Sequence, residues 1–114
     1  MLDTYDWRTL LIAIGLCLVA VPALAEGDRE SAFRGKRLAE ANCATCHAIA
    51  QFDDSALATA PPFRVIGART SRARLREMLG GRVFLDHAVM PDFEPDSEQA
   101  DDLANYIASI ASGR

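Results

Sequence analysis

At 114 residues, 50% of them hydrophobic, the chain is sized for one small domain. Its formal net charge of −4 argues against a nucleic-acid binder, which carries a basic balance or a strong basic face. No internal repeat or low-complexity tract is visible, so solenoids and compositional linkers drop out as well.

The chain opens on a segment unlike the rest. Residues 10–25, "LLIAIGLCLVAVPALA", carry no charge and end in Ala23-Leu24-Ala25, a small-x-small pattern just before the polar "EGDRES". This reads as a secretory signal peptide over 1–25, with the functional domain over 26–114. The preceding "MLDTYDWRT" departs from that pattern, because Asp3 and Asp6 oppose a single Arg8 where a positive segment is expected. The apolar run is shorter than the roughly 20 residues of a comfortable membrane span, so membrane contact is expected only if the segment stays uncleaved. Cys17 follows the bulky Leu16 inside this run and is assigned no role. The remaining domain holds two cysteines, Cys43 and Cys46. It is small enough that a metal, a disulfide or a cofactor is expected to complete its core.

Three helices are expected after that. The first covers 28–42, "DRESAFRGKRLAEAN", with Ala32, Gly35, Leu38 and Ala39 near one face. Gly inside a helix costs about 0.5–1 kcal/mol relative to Ala, so Gly35 suggests a close helix crossing. A long irregular stretch follows, "AIAQFDDSALATAPPF", in which Pro61 and Pro62 hold an extended backbone. So long a loop in a small domain is expected to wrap something. The second helix covers 71–79, capped by Thr70 or Ser71, with Leu75, Met78 and Leu79 as its apolar stripe and Gly80-Gly81 at its end. The third covers 97–112. Asp96 and Gln99 approximate a capping box, Leu103, Tyr106, Ile107 and Ile110 face the core, and Glu98, Asp101 and Asp102 are placed on the outer face. No strand pattern is evident, which makes the fold class all-α.

The chemistry concentrates in "NCATCHA", residues 42–48. A disulfide between Cys43 and Cys46 closes almost no loop and gains little entropy. A redox dithiol usually follows a strand at a helix start, and no strand precedes this one. Zinc needs a fourth ligand such as His87, but adjacent Cys46 and His47 hardly reach one tetrahedral ion, and the spacing fits no finger or ribbon. Haem c fits every part of the motif: two thiols at a spacing that matches two vinyl groups, and a histidine that the same turn presents to the iron.

With that motif, and with "APPF" in the middle and "MPDF" near the end, the chain resembles class I cytochromes c, the small exported monohaem electron carriers. The likeness runs from Gly35 to about Ile110. It implies three to five helices wrapped around one haem c, covalently attached through two thioethers at Cys43 and Cys46. It also implies that the first and last helices cross at right angles, with Gly35 against Tyr106. An aromatic is frequent in the family where Ala39 stands. By the same resemblance His47 is an iron ligand, the Pro61 carbonyl accepts from its other ring nitrogen, and Phe63 packs on the haem. Met90, in a loop before Pro91, is the expected second metal ligand, with His87 as rival. Met78, on a helical stripe, reads as core filler. Most arginines between 64 and 82 read as a solvated face, with Arg64 or Arg69 a candidate haem-propionate partner.

The resemblance therefore implies a periplasmic one-electron carrier that makes or breaks no substrate bond. It would dock transient redox partner proteins at a rim of Ala44, Thr45, Ala88 and Val89. The rival readings are a dedicated haem subunit of a periplasmic dehydrogenase complex and, further off, a haem gas sensor or peroxidase-like domain. The latter two need an open distal site.

Overall fold

The structure, a computed structural model, describes residues 22–82, 87 and 93–111. Among these residues it is helical, without strands: α1 Pro22–Asn42, α2 Phe63–Arg69, α3 Arg72–Glu77 and α4 Ser97–Ala111. A wide π-helical turn, Met78–Arg82, continues α3. The apolar run before Pro22, together with Met90 and the rim residues Ala88 and Val89, lies outside the described residues.

Three of the expected helices are present with shifted ends, and one helix was not expected. α1 begins at Pro22 rather than 28, running across Ala25 and Glu26. Proline suits a first helical position, and "ALA" behind it is strongly helix-forming. Ser71 supplies the cap of α3, its hydroxyl accepting from the Arg74 amide at 3.3 Å. Asp96 and Gln99 form the reciprocal box at the head of α4: each amide donates to the other's side chain, at 2.8 and 3.0 Å.

The unexpected helix, α2, has seven residues, "FRVIGAR". It is too short to be stable alone, and it contains two β-branched residues and a glycine. Tertiary packing holds it: Phe63 is buried, Ile66 lies against the core, and a β-carbon on Gly67 would come within 2.7 Å of Ala111 Cβ.

The other three helices all pack on α4. Its inward stripe of Leu103, Tyr106 and Ile107 meets Ala39, Ile49, Phe63 and Leu75 in a single core. The crossing with α1 is a backbone contact. A β-carbon on Gly35 would collide with the Asp102 carbonyl oxygen and sit 2.9 Å from Tyr106 Cβ. Gly35 is thus required there by close approach, which is why the helix tolerates its cost. Ala39, one turn on, is fully buried. A small side chain there suits helices held this close.

Asp102 corrects the sequence reading. It is not on the outer face but 3% exposed, inside the α1–α4 crossing. Ser31 Oγ donates to its Oδ1 at 2.5 Å, and Arg34 donates through Nε to Oδ2 at 2.8 Å and through Nη2 to Oδ1 at 2.9 Å. Asn105 Nδ2 donates to Ser31 Oγ at 2.8 Å and extends the network. Burial alone pushes the Asp102 carboxyl up, but the hydrogen bonds from Arg34 and Ser31 and the Arg34 charge outweigh it. Together they hold the group below the usual carboxylate range. The periodicity contained the signal, since Asp102 stands four residues before Tyr106 and so shares its face.

Candidate functional site

The site is built on the end of α1. The Cys43 amide donates to Ala39 O at 2.8 Å, and the His47 amide donates to Cys43 O at 2.9 Å. That second bond makes one further helical turn, so Cys43 and His47 stand four residues apart on one face. The Cys46 amide donates to the same Cys43 carbonyl at 3.2 Å. Both cysteines carry free thiols.

The long loop after His47 is ordered by side chains where no ladder exists. Asp53 accepts from the Ile49 and Ala50 amides, each at 3.1 Å, and Ser55 Oγ accepts from the Ala48 amide at 2.9 Å. Arg64 donates to Asp53 O at 2.8 Å and pairs with its carboxylate at 3.6 Å. The Leu57 amide donates to Cys46 O at 3.1 Å, and Tyr106 Oη donates to Ile49 O at 2.6 Å. Sequence reasoning missed these pins, although "FDDSA" carries the Asp and Ser turn chemistry that announces them. Arg64, a candidate haem-propionate partner, makes these contacts to the loop through Nη1.

The Phe63 amide donates to Ala48 O at 2.9 Å, which folds the loop back and carries Pro61 to the histidine. His47 Nδ1 lies 2.7 Å from Pro61 O. A carbonyl only accepts, so Nδ1 carries the proton, and Nε2 is left with the lone pair a metal needs. The bond also fixes the ring's orientation and raises the basicity of its free nitrogen. Phe63 is buried beside the imidazole, ring centroids 5.3 Å apart and planes 47° apart.

His47 and Cys43 line one cavity of about 270 Å³. Pro61, Phe63, Ile66, Leu75, Met78 and Leu79 line it with them, as do Leu103 and Ile107 of α4, His87 and Phe93. Cys46 is half-buried next to this wall but not part of it. The size approaches the roughly 300 Å³ at which proteins begin to enclose organic ligands, and far exceeds what one metal ion needs. Burial pushes the Cys43 thiol up to about 11, so at neutral pH it is a thiol, unlike the activated thiolate of a redox dithiol.

The expected site residues thus fall into three groups. Cys43, His47, Pro61 and Phe63 come together around the cavity; Cys46 stands beside it; Met90 is outside the described residues. Met78 and His87 both stand on the cavity wall. The donor set suits a haem: a large apolar cavity, an imidazole with its tautomer fixed for metal binding, and a thiol one helical turn away.

Comparison with known proteins points the same way. The sequence profile of the family described as Cytochrome c matches residues 32–111. Cytochrome c-552 from Bradyrhizobium diazoefficiens is 32% identical over 98 residues, covering 84% of this chain and 92% of that protein. No solved structure gives a significant match. The motif, the helical architecture and the cavity that His47 and Cys43 share are accounted for together by one conclusion: the chain belongs to the cytochrome c family.

Proposed function

We propose that this cytochrome is an exported, periplasmic one-electron carrier holding one haem c. The observation that carries the reading is the His47–Pro61 contact of 2.7 Å on the wall of an apolar cavity shared with Cys43. Cys43 and Cys46 would hold the group through thioethers, with His47 Nε2 and Met90 sulfur as iron ligands. The assignment of Met90 rests on its place before Pro91 in the sequence. When bound, haem supplies a couple between Fe(II) and Fe(III).

The chain's own residues do the rest. The Pro61 carbonyl orients His47 and fixes its proton on Nδ1. Phe63, Leu75, Leu103 and Ile107 exclude water, and a dry pocket with a thioether ligand favours the reduced state. No substrate bond is made or broken. Transient partners would dock at the rim beside Cys46, where Ala44 and Thr45 are exposed. The half-exposed Leu57, tied through its amide to Cys46, adds apolar surface there. Export is supported by the uncharged run over 10–25 and its small-x-small end.

The test is maturation in a host that attaches haem c. The secreted protein should begin at Glu26, gain the mass of one haem, and be low-spin when oxidised, with a weak far-red sulfur-to-iron band that Met90→Ala removes. A product without covalent haem would overturn the assignment. Ready binding of carbon monoxide by the wild type would replace the carrier with a sensor or enzyme.

A further inference from the structure

His87 is a nitrogen-bearing residue of the cavity wall to which the proposed function gives no role. It lies on the same cavity as His47, with ring centroids 6.2 Å apart and planes 39° apart. Imidazole nitrogen binds first-row metals at about 2 Å. Two imidazoles on opposite sides of one metal ion therefore have ring centres about 6 Å apart, once each ring's own radius is added. An ordinary tilted aromatic pair spans about 4.5–7 Å, so the distance alone does not choose between a contact and a ligand pair.

The surroundings do choose. The rest of the described wall is mostly carbon, and its only other metal-binding atoms are the sulfurs of Cys43 and Met78. Cys43 is taken by the thioether. Met78 sits in the wide turn that continues α3, next to Leu79, which packs against the core. His47 has its Nδ1 bonded to Pro61, so the nitrogen it offers a metal is Nε2. His87 is then the wall residue with both the atom type and the separation of a second imidazole ligand. In sequence it stands three residues before Met90, on the same connection between α3 and α4.

We propose that His87 is a reserve iron ligand: when Met90 is removed or displaced, the His87 imidazole takes the position opposite His47. The inference rests on the haem reading above. The exchange is a ligand substitution without redox change: iron–sulfur bonding is lost, iron–nitrogen bonding forms, and a proton leaves His87 if it was charged. Because a thioether favours Fe(II) more than an imidazole does, the exchange lowers the reduction potential. The iron stays closed to small molecules in both states.

The test compares the haem-loaded wild type, Met90→Ala, His87→Ala and the double variant. Spin state is read by optical absorption and electron paramagnetic resonance, and access by carbon monoxide binding to the reduced forms. We expect Met90→Ala to lose the far-red band yet stay low-spin and resist carbon monoxide. The double variant should turn high-spin and bind carbon monoxide readily, and His87→Ala alone should keep the band. Should Met90→Ala fail to fold, Met90→Leu, which keeps the volume, carries the same comparison. A single Met90 variant already high-spin and as open as the double would overturn the proposal. Retention of the far-red band until Met78→Leu is added would assign the reserve role to Met78 and equally overturn it. A wild type that lacks the band and opens on His87→Ala alone would make His87 the principal ligand. Absence of covalent haem from the wild type would instead overturn the haem reading itself, and mass spectrometry detects that independently.

Discussion

The α1–α4 crossing and the cavity wall share α4 but are built on opposite plans. At the crossing, backbone meets backbone at Gly35, and the buried carboxylate of Asp102 finds hydrogen-bond donors on Ser31 and Arg34. At the cavity, side chains from several helical segments and the connections between them face a common, mostly apolar space, and the imidazole of His47 on its wall is held by the Pro61 carbonyl. The crossing is complete with protein atoms and sets where the helices go. The cavity is shaped for a partner of another chemical kind. Changes at the crossing should therefore cost folding, and changes on the wall should alter cofactor binding first.

The largest expected effect tests the cavity half of that contrast. Replacing both Cys43 and Cys46 with Ser should abolish covalent haem and, with it, cooperative folding, because so small a core needs its cofactor. Circular dichroism and limited proteolysis of the variant would check this. A compact, cooperatively unfolding variant would break the comparison, since the crossing alone would then suffice.

Next in size is Gly35→Ala. Its β-carbon meets a main-chain carbonyl, which no rotamer change relieves, so α1 and α4 must separate. Overpacking of this kind costs about 3 kcal/mol or more, read from denaturant unfolding of the haem-loaded protein. Ligation of the iron by Met90 should survive in whatever fraction stays folded, and an unchanged far-red band would show it.

Asp102→Ala should cost less, about 1–3 kcal/mol, the range for losing hydrogen bonds to a buried charged group. It also predicts a pH dependence. The folded-state value of Asp102 is depressed, so its stabilisation is fully present above the unfolded carboxylate value of about 4 and is lost as pH falls through the folded value. Below about pH 4 the wild type should lose its advantage over Asp102→Asn, and unfolding midpoints measured across that range would show the two curves converging.

The smallest effect belongs to Phe52. Its side chain is 96% exposed on the loop that Asp53 pins. Phe52→Ser should change stability by no more than about 0.5 kcal/mol. A larger loss would mean that the loop, and with it the Pro61 carbonyl, leans on a residue outside both regions compared.

Local chemistry was readable in the sequence. Cys43, Cys46 and His47 announce haem attachment because the requirement is one of spacing within a single turn. The Asp96–Gln99 box closes within four residues, and Gly35 stands out as a glycine inside a good helix. The family resemblance added the Pro61 carbonyl, which no periodicity contains. The structure brings it to His47 through a bond between Phe63 and Ala48, fifteen residues apart.

By itself, then, the sequence determined that the chain is helical, that it belongs with small haem carriers, and which turn presents the histidine. All of these depend on residues a turn or two apart. Only the tertiary structure decided that Asp102 is buried, that α2 forms, that Arg64 is tied to the loop and that His87 stands 6.2 Å from His47. Each of these depends on partners distant in the chain. Burial of a charge is tolerable only where another helix brings donors to it. A seven-residue helix persists only where packing replaces the cooperativity it lacks. A histidine in a polar stretch becomes part of a site only when the fold carries it to the cavity.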